Sequence, residues 1–551
     1  MRNTIVAYDD WNFVLDRRGG VPSLIPGALD QWIQPHNGHP VMVLVGFYRA
    51  AGALTSYNYP AMIGLAAFVH ACLAAAIFVY ARRRVGPWFA LVPAILVAML
   101  GRGAYVVLAP IAMAFTLALL AGVVALNIID TPGRARPALA SVLSMFALCS
   151  SGLGVARVVT IAVDRLPRAR SWRAFVAWSA AAGTPMVALA IWYVNVRRDE
   201  RSSKEFGGGL RFALRLLGNG AAALFGIGDD RAVVVSGGLA ALLIAVLVVR
   251  RRAVDWYRIG ALGIGILVDL GLVTWARSGN TLPSTGRYLY VVGVQVALIG
   301  VESFRGCKPS PGRARQVVAT VSIAIVGASV FAGSGSFRTV ARDFTRDNRL
   351  TQVVLASFQR AQANGVVFDD GFQPESHYAP QVSAGRFNGL IADGRNPLRA
   401  GDPTPRTEQE KQAADFFDGQ QLIRLIPPVP AGTQAESTFN FSPAAPIEVD
   451  SSNVLSETKD RCTTVRSIGI GAFVDLQVPI SGETWRMSSS GSTLVQVRKR
   501  ADGFSGRNAA TVTPQRDVLI TVEDGLRRPP VRPWVIRIEP SPDARICTGE
   551  S

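Results

Sequence analysis

Apolar stretches of about 20 residues, each long enough to cross the roughly 30 Å hydrocarbon core of a bilayer, recur through the first 333 residues of the chain. They fall at 61–81, 87–104, 106–128, 174–195, 232–250, 257–276, 286–304 and 315–333. In lipid every backbone N–H and C=O must be satisfied within the segment, so runs of this kind can fold only as helices. Two further stretches are less regular. Residues 138–164 are interrupted by Ser150-Ser151-Gly152 and read either as one long helix or as a re-entrant pair. Residues 210–228 are glycine-rich and read as a short or interfacial helix. The expected architecture is therefore a multi-span α-helical membrane domain of about eight to eleven segments over residues 61–333.

Charge gives these spans a direction. Residues 1–333 hold 32 Lys and Arg against 14 Asp and Glu, while residues 334–551 hold 25 of each, so the whole net charge of +18 lies in the apolar part. The positive charge sits in short clusters between apolar runs, such as Arg82-Arg83-Arg84 and Arg250-Arg251-Arg252. That is the pattern of loops kept in the cytoplasm, and it argues against a nucleic-acid partner, for which phosphate-neutralising charge would be needed on a binding face. One topology puts every major basic cluster inside: Arg82–Arg84, Arg134 and Arg136, Arg165–Arg173, Arg250–Arg252 and Arg305–Arg315. It requires 138–164 to enter and return as two half-helices, and it leaves residues 1–60, the 277–286 loop and everything after 333 on the outer face. Met1 opens directly into a polar segment, which predicts one further membrane helix upstream of these residues.

After Gly333 the pattern changes. Residues 334–455 read as a helical stalk, amphipathic over 337–363, followed by an irregular Pro/Gly/Asn-rich stretch. From 456 to 551 short alternating runs, among them Gly471–Val478, Ser492–Val497, Asp517–Val522 and Trp534–Ile538, predict a small extracytoplasmic β-sandwich-like module. Its tryptophans, Trp485 and Trp534, are read as core. Cys462 and Cys547 flank the module, and on the outer side a disulfide between them is chemically allowed. Cys72, Cys149 and Cys307 fall in or beside spans and read as small buried apolar residues. The sequence has no CxxC, no His-rich metal pattern and no Gly-rich phosphate loop.

Residues able to carry chemistry concentrate on the outer side. Asp9-Asp10-Trp11 and Gln34-Pro35-His36-Asn37-Gly38-His39-Pro40 lie in the first outer segment, which with the first span holds three of the chain's four histidines. Adjacent carboxylates with imidazoles make a donor set for a base, or for Mg, Mn or Zn through Asp9, Asp10 and His39. The plainer alternative is a solvated helix cap beside an interfacial tryptophan. Gly286-Arg287-Tyr288 enters a span from an outer loop, where Arg287 is placed to hold a phosphate by a charge-assisted contact; the alternative is an interfacial Arg–Tyr anchor. Asp269 sits mid-span, where an ionisable group is costly, and partnership with Arg157 or Arg277 would make it structural.

Taken together, Asp9-Asp10-Trp11, Pro35-His36-Asn37-Gly38-His39 and Gly286-Arg287-Tyr288 resemble the GT-C superfamily of membrane glycosyltransferases, near the protein-O-mannosyltransferase and aminoarabinose-transferase type in an actinobacterial branch. The resemblance implies transfer of a sugar from a polyprenyl-phosphate donor to a cell-envelope glycan, lipid or protein at the outer face of the cell membrane. It implies Asp10, or its neighbour Asp9, as catalytic base, often in contact with a divalent metal. Arg287 and Tyr288 would serve the donor phosphate, and His36, Asn37 and His39 would orient the acceptor, the loop or a metal. His39, held before Pro40, is the more fixed of the two imidazoles. Two other readings stand beside it: a non-catalytic lipid-linked-sugar transporter or envelope-assembly scaffold, and an inactive relative. The last is favoured by the lack of a carboxylate in the Gly101–Tyr105 hairpin, where a second acidic pair is expected; Asp229-Asp230 lies on a less defined element.

Overall fold

The computed structural model describes residues 10–16, 32–36, 38–55, 57–196, 209–277, 281–307, 312–363, 368, 370–374, 379, 381–392, 398, 405–407, 410, 411 and 414, and the backbone of ten strands between 423 and 548. The chain divides into two compact units, Met1–Arg346 and Asp347–Ser551.

The first unit is helical. In chain order it contains α1 (Asp10–Asp16), α2 (Met42–Thr55), α3 (Tyr59–Val85), α4 (Pro87–Ala98), α5 (Ala104–Leu108), α6 (Met113–Ile129), α7 (Arg136–Ser150), α8 (Gly154–Arg165), α9 (Trp172–Val196), α10 (Gly209–Ala223), α11 (Asp229–Val249), α12 (Trp256–Arg277), α13 (Gly286–Ser303) and the start of α14 (Arg313–Ala363). Among the described residues five helices are long and apolar enough to cross a membrane: Tyr59–Val85, Pro110–Ile129, Trp172–Asn195, Trp256–Arg277 and Gln316–Ala363. A sixth arises if Pro87–Ala98 and Gly101–Leu108, which bend by 41°, count as one span. This is a membrane protein. The count is lower than the apolar runs suggest because several runs are short or polar as helices: α7 has 15 residues and α13 has 18 and carries Arg287, Gln295 and Glu302.

Local chemistry sets the ends. Asn58 caps α3 by accepting from the Ala61 N–H, and Pro60 and Pro87 occupy first turns where no donor is lost. Gly86, at φ 85°, makes the sharp turn between α3 and α4 that a side chain would resist. The interruption between α4 and α6 exposes backbone, which is tolerated at membrane depth only where protein covers it. Protein does cover it: a Cβ on Gly101 would lie 2.7 Å from the Gly333 Cα, and one on Gly103 would lie 2.7 Å from the Tyr290 ring. Gly333 thus serves a close approach rather than a helix end, and α14 runs unbroken through 51 residues where a span and a separate stalk are expected from sequence.

The 138–164 stretch does enter and return. Arg136 at the start of α7 donates to the Ile129 carbonyl at 3.3 Å, and Arg165 at the end of α8 meets Asp130 at 3.0 Å, so both ends share one end of the bundle. A partly buried ion network gathers there, with Arg84, Asp164, Arg258 and Glu302 buried and Asp130, Asp255, Arg168 and Arg305 reaching solvent. Arg258 bridges Asp130 at 2.7 Å and Asp164 at 2.9 Å; Arg168 bridges Asp164 and Asp255; Arg84 bridges Asp130 and Glu302; Arg305 reaches Asp255. Arg84, Arg165, Arg168 and Arg305, read from sequence as parts of one cytoplasmic set, therefore converge with Arg258 on four carboxylates. Burial alone would raise the Asp130 carboxyl, but Arg258 and Arg84 outweigh it and hold it below the usual range. Asp255 is likewise lowered, with burial opposing and Arg168 prevailing.

In the second unit, Phe358, Phe368, Phe372 and Phe387 cluster, the last on α15 (Ala384–Ala392). The strands are β1 (Ile423–Ile426), β2 (Val454–Lys459), β3 (Cys462–Ser467), β4 (Val474–Val478), β5 (Thr484–Ser489), β6 (Thr493–Arg498), β7 (Ala510–Val512), β8 (Val518–Val522), β9 (Trp534–Glu539) and β10 (Asp543–Thr548). They pair as a six-stranded sheet in the order β1-β8-β5-β10-β3-β2 and a four-stranded sheet in the order β4-β9-β6-β7, with antiparallel pairing throughout. In the β3–β10 register Cys462 and Cys547 are direct partners. Trp485 and Trp534 stand on β5 and β9.

Candidate functional site

The site lies at the end of the helices opposite the ion network, since Arg258 opens α12 and Arg277 closes it, about 28 Å apart at 1.5 Å per residue. Its first wall is a short loop. His36 and His39 exchange backbone hydrogen bonds, each N–H donating to the other's carbonyl at 3.0 Å. Gly38 at φ 76° supplies the left-handed residue that such a tight turn requires. Directly paired residues carry their side chains to the same side, and both imidazoles line one cavity of about 60 Å³. That cavity has room for a few water molecules or one small anion.

Several other elements complete it, with Leu44 from α2 and Ala114 and Phe115 from α6 among them. Ser150 and Ser151 come from the break between α7 and α8, Tyr105 from α5, Ile111 from the turn before α6, and Arg277, Arg287 and Tyr288 from the two ends of the α12–α13 connection. Gly152 lets the loop close against the break, because a Cβ there would come within 2.7 Å of His39 Nδ1. The ring of Phe13 on α1 lies 5.1 Å from that of His36 and stacks on Tyr48 at 4.7 Å.

Arg277 and Arg287 give the cavity its character. The Nε of each is buried and has no hydrogen-bond partner among the described residues. No carboxylate is among the described residues that line it. Buried donors without acceptors are costly, and two guanidinium groups at one cavity with no carboxylate among its described lining match an anion such as a phosphate. Arg287 also lies over the Tyr288 ring, 5.2 Å from its centroid.

Asp10 stands just behind the cavity wall. It is fully buried and accepts from the Tyr48 and Tyr59 hydroxyls and, at 2.8 Å, from the N–H of Ile111. One residue therefore separates its carboxylate from the cavity.

No family model matches the chain, and no curated protein matches its sequence. Among solved structures, the cryo-EM structure of arabinosyltransferase EmbB from Mycobacterium smegmatis overlays with a TM-score of 0.34 at 11% identity, covering 94% of this chain. The chain spans 59% of that structure's length. So loose an overlay carries no argument, and the function rests on the site.

Of the residues singled out from sequence, the structure brings His36, His39, Arg287 and Tyr288 to one cavity and puts Asp10 against its wall. Asp9 and Asn37 lie outside the described residues, as do the side chains of Asp229, Asp230, Cys462 and Cys547. Among the described residues no three His, Cys, Asp or Glu side chains form a metal-holding group, and Asp10 already accepts from three donors. Those residues do not by themselves fit a metal ion. Asp269 pairs with Arg157, which leaves Arg277 to the cavity. Sequence reasoning passed over Arg277, Ser150 and Ser151 as site residues; the signal for Arg277 was its place across one short loop from Arg287. His70 is not among the residues that line the cavity; its Nδ1 lies 2.7 Å from the Tyr290 hydroxyl and its Nε2 3.1 Å from the Ala98 carbonyl.

Proposed function

We propose that the protein is a membrane glycosyltransferase of GT-C type, moving a sugar from a polyprenyl-phosphate donor to a cell-envelope acceptor at the outer face of the membrane. The observation that carries this reading is the pair of buried guanidinium Nε atoms of Arg277 and Arg287, without a hydrogen-bond partner among the described residues, in one cavity with His36 and His39, a single residue away from Asp10. Transfer to a hydroxyl needs little else. A base takes the acceptor proton, the freed oxygen forms a bond to the anomeric carbon, and the bond from that carbon to the phosphate oxygen breaks with its electrons on the phosphate.

In this reading Asp10, with Asp9 beside it, is the base. Arg277 and Arg287 hold the phosphate as its charge grows, Tyr288 backs Arg287, and His36, Asn37 and His39 orient the acceptor. The positive-inside pattern supports an extracytoplasmic position for the cavity and for a β-sandwich-like module at 456–551. Replacing Asp10 with Asn in the full chain, with transfer from a polyprenyl-phosphate sugar assayed in membranes, tests the base. Loss of transfer at unchanged expression is expected, and undiminished transfer would dismiss Asp10 from that role.

A second reading, a non-catalytic binder of lipid-linked sugars, draws on the full burial of Asp10 under three donors, which also suits a carboxylate that anchors α1 to α2, α3 and the turn before α6. The same experiment separates them, because a binder gives no transfer in the unsubstituted protein.

A further inference from the structure

The cavity's walls belong to helices that meet again deeper in the bundle, at one polar cluster. Arg157 on α8 donates through Nη2 to Oδ2 of Asp269 on α12, and Gln295 on α13 donates through Nε2 to the same oxygen. Asp269 is 2% exposed, Gln295 2% and Arg157 8%. Asp269 precedes Arg277 by eight residues and Gln295 follows Arg287 by eight, so the cluster sits about 12 Å below both arginines at 1.5 Å per residue. Arg157 follows the Ser150–Gly152 break, whose serines line the same cavity, by only a few residues.

The neighbours are shaped to admit it. A Cβ on Gly122 of α6 would lie 2.6 Å from Arg157 Cδ, and one on Gly265 of α12 would lie 2.3 Å from Thr160 Oγ1 on α8. Burying an ion pair in the interior of a helical bundle adds little net stability, since apolar side chains of like volume do as well or better. Its geometry is specific instead: one carboxylate oxygen must be met by two donors from two other helices. That condition fixes the register of α12 against α13 and of both against α8.

We propose that Arg157, Asp269 and Gln295 are positioning residues that set the separation of Arg277 and Arg287 and so tune the cavity for a phosphate. The inference rests on the anion-site reading given under Proposed function. It is tested with the full chain in lipid nanodiscs, by calorimetric titration with inorganic phosphate and by thermal unfolding. Asp269→Asn is expected to weaken phosphate binding roughly tenfold, a size usual for coupling between sites. Where that variant fails to fold, the apolar triple variant Arg157→Met, Asp269→Leu, Gln295→Leu decides. It is expected to unfold at or above the unsubstituted protein's temperature and yet bind phosphate more weakly, which a purely structural cluster would not produce. Either variant, folded and binding phosphate as the unsubstituted protein does, would overturn the inference alone. An unsubstituted protein that binds no phosphate would overturn the anion-site reading and this inference together.

Discussion

Arg277 ends one apolar helix and Arg287 lies one residue into the next, and the two line a single cavity, each with a buried Nε that no acceptor among the described residues meets. Much else in the first unit serves that placement: a His36–His39 turn laid over a helix break, and glycines where backbones approach.

Gly286 is one such position. A Cβ there would stand 2.4 Å from the Arg102 carbonyl oxygen, which is backbone and cannot swing away. Gly286→Ala is expected to displace the start of α13 and with it Arg287, destabilising the protein by about 1–3 kcal/mol as overpacking does. Thermal unfolding reads the first effect and phosphate affinity the second.

Gly152→Ala acts on the other wall. Its Cβ would meet His39 Nδ1 at 2.7 Å and must push the imidazole out of the cavity. Because a side chain can move where backbone cannot, the expected result is a smaller loss of stability than for Gly286→Ala, with impaired acceptor use. A transfer assay over a range of acceptor concentrations checks this.

The ion network at the opposite end makes a pH prediction. Asp130 and Asp255 are lowered in the folded protein. A carboxyl with a depressed folded value contributes stability that is present above its unfolded value, about 3.9, and is lost as pH falls through the folded one. Unfolding temperature in nanodiscs is therefore expected to fall steeply only below about pH 4. In Asp130→Asn that acid-dependent part should shrink.

Glu302 gives the same network a mutational test. It is fully buried and pairs with Arg84, while accepting from the Tyr80 hydroxyl. Glu302→Gln strips a charge from a buried pair, which costs about 3–5 kcal/mol. Denaturation in detergent should show that loss.

Much of the first unit was legible in the sequence because lipid leaves so few choices. Apolar runs had to be helices, and arginine clusters had to share one end. What stayed hidden was pairwise. Nothing in spacing says that Asp130, Asp164, Asp255 and Glu302, spread over 173 positions, meet the basic clusters as a network. Nor does it show that Asp269 takes Arg157 and not Arg277. The break at Ser150-Ser151-Gly152 was visible, but its place in the cavity wall depends on the return of α8 beside α7. The continuity of α14 was missed because Gly333 looked like an end, whereas its lack of a Cβ serves the approach of Met99, whose carbonyl a Cβ would meet at 2.2 Å.

The β3–β10 register makes Cys462 and Cys547 direct partners, and antiparallel partners stand about 4.5–5.5 Å apart at Cα, within disulfide reach. Under an outer-face location the pair is expected to be oxidised. Alkylation of the unreduced, denatured protein followed by peptide mass analysis should find both positions unlabelled, and labelled after reduction.

The most direct measurement compares transfer of a radiolabelled sugar from a polyprenyl-phosphate donor to endogenous acceptors, in membranes holding either the unsubstituted protein or Arg277→Ala/Arg287→Ala at matched levels. Transfer by the first, reduced about 100-fold or more in the second as expected when a donor clamp is lost, is the predicted result. Equal transfer by both would contradict a phosphate-holding role for the two arginines, and no transfer by either would contradict the enzyme itself.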